Sequence, residues 1–413
     1  MSLVRWGGGG YRTIVLAAVF GLAAFLGWAG PLAYAALIGA AGLLLAPLAL
    51  RGRPRPWPEA LALAALAAWA AVTLAWSPAL RELAADSYAD LEANTALKLG
   101  LQLVVYGLFV AAAAGASTAV ARRTLGVFAW SAAVWCAVLA FDGVSGGRLW
   151  AATADLLGQP VTLQFQEKKA AQGAYVLAVL VWPAVGWFLE RRPPGAKLLL
   201  PLAVLVGSIG LSAYAATVAA VAGALAYGLV RQGGRTAARL LGAAAALALL
   251  LTPVLVLEAE RLGAFDVVRA SLTQSWAARA DIWAFAAGQA AARPFLGWGL
   301  DASRHFGDAV PLHPHNGPLQ LWLELGVVGV LIAAVFWLLL SRRISRLAQD
   351  GSPAGAIAAA TAAAYFTVGA LSFGVWQEWW LAAGALAAAL CALYAKVRAE
   401  EEADMERFGL ERA

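Results

Sequence analysis

Charge is scarce in this chain of 413 residues. Asp, Glu, Lys and Arg make up 13% of it, where soluble domains carry about a quarter. Apolar residues make up 62%, the mean hydropathy is +0.73, and the apolar runs approach the roughly 20 residues that cross a bilayer. Together these exclude a soluble globular chain. Cysteine is almost absent: Cys136 and Cys391 lie inside separate apolar runs, which excludes a disulfide framework and a cysteine-based metal site. Histidine is nearly as rare, and all three copies (His305, His313 and His315) fall within one stretch of eleven residues. Almost all side chains that titrate near neutral pH are therefore gathered in one place. A net charge of +6 would hint at nucleic acid in a soluble protein; here it reads as basic loops on one membrane face, and no nucleic-acid partner is expected.

What is present is an all-α polytopic membrane protein, read as a single integral-membrane helical domain over 1–413. Twelve spans are expected, at about 13–29, 31–50, 59–76, 98–116, 123–141, 170–189, 197–212, 213–230, 237–257, 316–340, 354–373 and 377–396. Basic clusters occupy every second loop: Arg51, Arg53 and Arg55; Arg122 and Arg123; Arg191, Arg192 and Lys197; Arg231, Arg235 and Arg239; Arg342, Arg343 and Arg346. With Arg5, Arg12, Lys396, Arg398, Arg407 and Arg412 they make 20 of the 30 basic residues, so this side is read as cytoplasmic, with both termini on it. Ala33-Tyr34-Ala35 resembles a signal-peptidase site, but the long apolar segment before it and the span after it favour an uncleaved anchor. Residues 397–413, with alternating charge, read as a short cytoplasmic helix or tail.

The outward loops cover about 77–97, 142–169 and 258–315. The first is either an amphipathic helix lying on the surface or a plain connector. The third, between the ninth and tenth spans, carries the chemistry. Its residues Ser275 to Arg293 have helical spacing and end at Pro294, with Trp276, Ala280, Trp283 and Ala287 on one packing stripe. Arg279, partly displaced from that stripe, points either into a cavity at the membrane surface or to lipid headgroups; Arg293 and Arg304 flank turns. The Gly-rich turn Pro294 to Asp301 would let backbone approach a ligand closely, or is simply a tight turn, where glycines are common. His313 and His315 share a face of an extended segment stiffened by Pro314.

Three readings of the histidines compete. They form a zinc site with His305 or Asp308; His315 is a general base beside anion-binding arginines; or His315 merely begins the tenth span, with Asn316 as its N-cap. Glu324, about two and a half turns into that span, is a functional candidate by its position and could pair with an arginine of the adjoining bundle. Gly326 and Gly329 read as small residues allowing close helix packing. Lys168 and Lys169, paired at the outer mouth of the sixth span, run against the charge bias and fit an anionic ligand. Trp376 to Trp380 form an aromatic belt in which Glu378 could shape the site.

The segment from Arg279 to Gly329 resembles the O-antigen ligase / O-antigen polymerase superfamily of bacterial envelopes. That family's signature is His, then Asn, Ser or Gln, then nine residues, then Gly-x-x-Gly; this chain has His315-Asn316, nine residues, then Gly326-x-x-Gly329. Arg279-x-x-Ile282-Trp283 and Pro294-x-x-Gly297-x-Gly299 also follow the family pattern. The resemblance implies a glycosyltransferase of the bacterial inner membrane with a GT-C-like helical fold. It would pass a glycan from undecaprenyl diphosphate to a sugar hydroxyl at the periplasmic face, without metal or other cofactor. Carried over, His315 is the catalytic histidine and Arg279 the diphosphate-binding arginine, with Lys168 and Lys169 as further donor-binding cations and His313, Asn316, Glu324 and Arg304 in support.

Within the family, a ligase acting on lipid A–core is favoured over a polymerase extending carrier-linked repeats. One departure stands out: members commonly carry Ser-Arg or Thr-Arg near the seventh–eighth span junction, and Leu211 to Thr217 has no basic residue. Outside the family, a zinc-dependent membrane hydrolase is the main alternative. A transporter would want broken helices in paired positions and charges at mid-membrane, and Glu324 is the main feature of that kind.

Overall fold

The structure, a computed structural model, describes residues 8–51, 57–80, 94–189 and 196–407. Among them there is no strand. The helices in chain order are α1 (Gly8–Ala29), α2 (Tyr34–Arg51), α3 (Pro58–Thr73), α4 (Thr95–Ala114), α5 (Thr118–Ser145), α6 (Arg148–Leu156) and α7 (Leu163–Leu189). They continue as α8 (Ala196–Gly210), α9 (Tyr214–Arg261), α10 (Ala264–Ser271), α11 (Gln274–Ala292), α12 (Gly317–Leu347), α13 (Pro353–Leu371) and α14 (Glu378–Arg407).

Ten helices among the described residues are long and apolar enough to cross a membrane. The remaining two of the twelve expected segments have clear origins. One is the shorter apolar helix Leu198–Gly210. The other lies in α9, whose 48 residues would extend about 72 Å if straight, more than twice the hydrocarbon thickness. Gly234 breaks α9 with φ 53° and ψ −134°, so it is two helices turning at Arg231, Arg235 and Arg239. Exposed apolar side chains such as Leu43, Leu101, Val134, Leu202 and Leu240 coat the outside, as a lipid-facing surface requires.

The bundle is built around α7. It packs against α1, α5, α8, α9, α13 and α14, and from Val176 to Gly186 every residue on it is buried. The main core gathers Phe20, Phe109, Phe128, Leu177, Leu180 and Tyr394 about it. Ala33-Tyr34-Ala35 is the tight turn into α2, where the buried Tyr34 hydroxyl donates to the Ala23 carbonyl at 2.6 Å. The surface helix expected after Ser77 falls mostly on residues 81–93, outside the described residues. Residues 397–407 continue α14 without a break, held by Arg398 to Glu401 at 3.0 Å and Arg122 to Glu400 at 3.2 Å.

The segment 258–315 folds as the end of α9, then α10, α11 and a run of turns. Helix α11 begins and ends within one residue of the expected bounds, and its Ala280 and Ala287 are buried against the bundle. Arg269 on α10 fastens this segment, donating to Glu260 at 3.0 Å, Asp266 at 2.9 Å and Asp281 at 2.8 Å. The three carboxylates come from α9, α10 and α11, so one guanidinium ties three helices together.

Candidate active site

The site is assembled around a break in α12. Gly326 adopts φ 62° and ψ −168°, which interrupts the helix and releases carbonyls from their ladder. Trp298 and Gly299 donate their N–H groups to the freed carbonyls of Leu323 and Glu324, both at 2.8 Å, and Val327 N–H donates to the Pro294 carbonyl at 2.8 Å. A Cβ on Gly326 would run into the Phe295 carbonyl, and one on Gly297 into the Glu324 carbonyl. The two glycine motifs, expected to serve a ligand and general helix packing, are thus the two halves of one backbone joint. The reason is steric: backbone meets backbone there, leaving no room for side chains.

Glu324 sits beside the joint, fully buried. The arginine partner that the sequence allows is not there. Its carboxylate instead accepts from Ser303 Oγ at 2.6 Å, Gln320 Nε2 at 3.0 Å, Trp376 Nε1 at 2.6 Å and the Asp301 N–H at 3.1 Å. Both oxygens are committed, and three segments converge on them. Gln320 also accepts from Val375 N–H at 2.9 Å, so α12 grips the turn between α13 and α14 at two points. Glu324 is a scaffold for that turn.

The turn is what the candidate catalytic groups hold. His315 Nδ1 lies 3.0 Å from the Ser372 carbonyl, and Arg279 Nη1 donates to the Leu371 carbonyl at 3.2 Å, with Ser372 Oγ 3.5 Å away. His315 and Arg279 therefore meet on adjacent residues at the end of α13. A carbonyl can only accept, so Nδ1 carries the ring proton and the Nε2 lone pair of the neutral imidazole is left as the basic site. Trp283 Nε1, one turn beyond Arg279, donates to the Pro314 carbonyl at 2.8 Å and pins the histidine segment to α11. His315 adopts φ 55°, a left-handed conformation uncommon for a residue with a side chain. Asn316 caps α12, its side chain accepting from Leu319 N–H at 2.9 Å.

The two adjacent imidazoles differ. His313 is buried, its Nδ1 accepts from His315 N–H at 3.1 Å, and its Nε2 lies 3.0 Å from the Gln377 amide. With Nδ1 accepting, Nε2 bears the proton; the Gln377 atom against it is the amide nitrogen, and turning that amide end for end brings its oxygen round to receive the proton. Burial first, then the charges of His315, Arg304 and Arg279, push the His313 pKa down to about 3. His315 is half-buried; burial lowers its pKa too, the Ser372 carbonyl opposes this, and Arg279 adds to it. Both rings are neutral at neutral pH. Arg279 is also half-buried, which lowers its pKa, but a guanidinium keeps its charge.

The other expected residues are placed differently. Lys168 and Lys169 stand exposed near the start of α7, with no hydrogen bond or ion pair to Arg279 or His315. Arg304 is exposed and pairs with Asp301 at 2.8 Å, and Asp301 accepts from Thr95 at 2.8 Å. Arg293 stacks over the Trp298 ring at 3.8 Å. Glu378 pairs with Lys98 of α4 at 2.7 Å. The zinc reading lacks its third ligand: among the described residues no group of three His, Cys, Asp or Glu side chains could hold a metal ion. The α8–α9 junction, where no basic residue was found, touches the site through rings. Tyr214 packs on Trp276 at 6.2 Å, and Arg279 lies 4.8 Å over that same Trp276. Ser372 and the role of Gln377 escaped sequence reading, and Trp283, expected on a packing stripe, also donates to the histidine segment; Ser372 acts through a backbone carbonyl, which leaves no signature.

Comparisons with known proteins agree with the resemblance drawn from the motifs. The family described as O-antigen ligase matches residues 196–334, which include Arg279, His315 and both glycine motifs. A protein of Rickettsia conorii with the provisional name polysaccharide ligase is 34% identical over 124 residues, covering 27% of this chain and 30% of the relative. One of Rickettsia prowazekii, similarly named, is 33% identical over 127 residues, again 27% of this chain and 30% of the relative. The chain thus spans about 30% of the length of the curated relatives it matches. No solved structure matches it.

Proposed function

Since residues 196–334 carry the domain of the O-antigen ligase superfamily, we propose that this integral membrane protein is an inverting, metal-independent glycosyltransferase that ligates a polysaccharide. Its donor is a glycan on undecaprenyl diphosphate and its acceptor a hydroxyl of lipid A–core. In this reading both termini are cytoplasmic and the segment 258–315 faces the periplasm of a bacterial inner membrane, which the basic clusters in alternate loops support. The observation that carries the reading is the meeting of His315 and Arg279 at Leu371 and Ser372, with Nδ1 of His315 occupied and Nε2 basic.

The chemistry follows from those two groups. The acceptor hydroxyl gives its proton to His315 Nε2 as its oxygen attacks the anomeric carbon. The bond from that carbon to the diphosphate breaks on the opposite face, and its electron pair leaves with the phosphate oxygen. A general base is worth about 10²–10⁴-fold. Negative charge grows on the leaving diphosphate, and Arg279 is fixed beforehand to receive it through a fork suited to phosphate oxygens. Lys168 supplies further positive charge at the entrance, with Lys169 beside it.

The test is deletion of the gene, followed by electrophoresis of the cell's lipopolysaccharide and complementation with wild type or His315→Ala. Loss of the polymer ladder with accumulation of carrier-linked polymer, restored by wild type alone, supports a ligase. Core bearing a single repeat would instead assign the same site to a polymerase. An unchanged ladder would overturn both.

A further inference from the structure

Helix α7 is the most enclosed helix in the bundle, yet one stripe along it is open. From Ala170 to Gly186 every residue is buried except Gln172 and Tyr175. One turn before Gln172 stands Lys168, exposed. Steps of four and three residues put all three on one face, over a rise of about 10 Å. Helices α1, α5, α6, α8, α9, α13 and α14 all pack against α7.

The stripe leads to the site. The Tyr175 ring packs edge-on against Phe373 at 5.3 Å, and Phe373 follows Ser372, the residue held by His315 and approached by Arg279. Tyr175 is also near enough to Arg279 for its oxygen to act on the guanidinium charge. The stripe on α7 thus carries the Tyr175 hydroxyl near Arg279 and, on the same helical face, an amide and an ammonium group. Each donates hydrogen bonds, and none brings a negative charge at neutral pH. A diphosphate carries more negative charge than one guanidinium offsets, and neutral donors in a water-poor cleft stabilise the remainder.

We propose that Tyr175 and Gln172, with Lys168 above them, form the wall on which the diphosphate and first sugar of the lipid-linked donor bind opposite Arg279. This rests on the glycosyltransferase reading above and names the residues that hold its donor. Tyr175 and Gln172 bind donor without touching the acceptor proton, so their loss weakens the ground and transition states alike.

The experiment uses the full-length protein in liposomes, with Tyr175→Phe, Gln172→Ala and Lys168→Ala beside His315→Ala. Two quantities are read: the kinetics of transfer from undecaprenyl-diphosphate-linked glycan, and binding of undecaprenyl diphosphate itself through tryptophan fluorescence. Tyr175→Phe keeps the ring on Phe373 and removes only the hydroxyl. It is expected to raise the donor KM and the carrier Kd about tenfold with kcat within about twofold, the loss of one charge-assisted hydrogen bond. Gln172→Ala and Lys168→Ala are expected to follow with smaller increases. Unchanged KM and Kd in Tyr175→Phe and Gln172→Ala, with His315→Ala inactive, would overturn the wall and leave the transferase reading intact. A fall in kcat at constant KM and Kd would overturn it equally. If His315→Ala transferred at the wild-type rate, the transferase mechanism would fail, and carrier binding alone would still decide whether the wall exists.

Discussion

Glu324 and His315 lie nine residues apart on either side of the start of α12, and the fold treats them oppositely. Glu324 is fully buried and accepts four hydrogen bonds from three segments, so no capacity is left for a substrate. His315 is half-buried and has one nitrogen committed, to a backbone carbonyl. The lesson is that a rare polar group in an apolar chain is not functional by its rarity alone. A saturated group holds the frame, while a half-committed one, oriented by that frame, is left to react.

The largest effect that separates the two is on rate. His315→Ala should lower transfer by about 10²–10⁴-fold in a reconstituted assay while leaving the unfolding temperature in detergent within a degree or two of wild type. Glu324→Ala should do the reverse in origin. It strands the donors of Ser303, Gln320 and Trp376, and should cost about 3 kcal/mol or more of stability, read as a lowered unfolding temperature. If Glu324→Ala kept wild-type stability and lost only rate, the division drawn here would be broken.

Next in size is Arg279→Lys, which keeps the charge and loses the fork that reaches Leu371 and a phosphate together. Donor KM should rise about tenfold with the fold intact, and an unchanged KM would remove Arg279 from the donor site. The smallest effect concerns pH. His315 works in its neutral form, and burial together with Arg279 holds its pKa below the ordinary 6.5. The rate should therefore fall on the acid side with a midpoint below that ordinary value. Arg279→Gln removes one of the influences that lower this pKa, so the decline should begin at a higher pH. A decline that did not move would show that Arg279 does not act on His315.

Much of this was legible in the sequence, for identifiable reasons. Spans follow from apolar length, the α11 boundaries from helical spacing and Pro294, and the cap from Asn316. These are local properties, readable along the chain. His315 and Arg279 emerged because few polar side chains compete with them in so apolar a chain. The partners of Glu324 were not legible, because they depend on the break at Gly326, which brings Asp301, Ser303 and Trp376 to one carboxylate from distant positions. The glycine motifs were visible as places of close approach, but spacing does not show whether a ligand or another backbone comes close. The Arg269 clamp was missed because its carboxylates look like ordinary surface charge until α9, α10 and α11 fold together.

The most direct test of His315 as the proton acceptor is chemical rescue. His315→Ala, reconstituted with lipid-linked donor and lipid A–core, is assayed for transfer across a series of added imidazole concentrations. The account predicts negligible product without imidazole and a rate that rises with the concentration of its neutral form. Transfer at the wild-type rate without imidazole would contradict it.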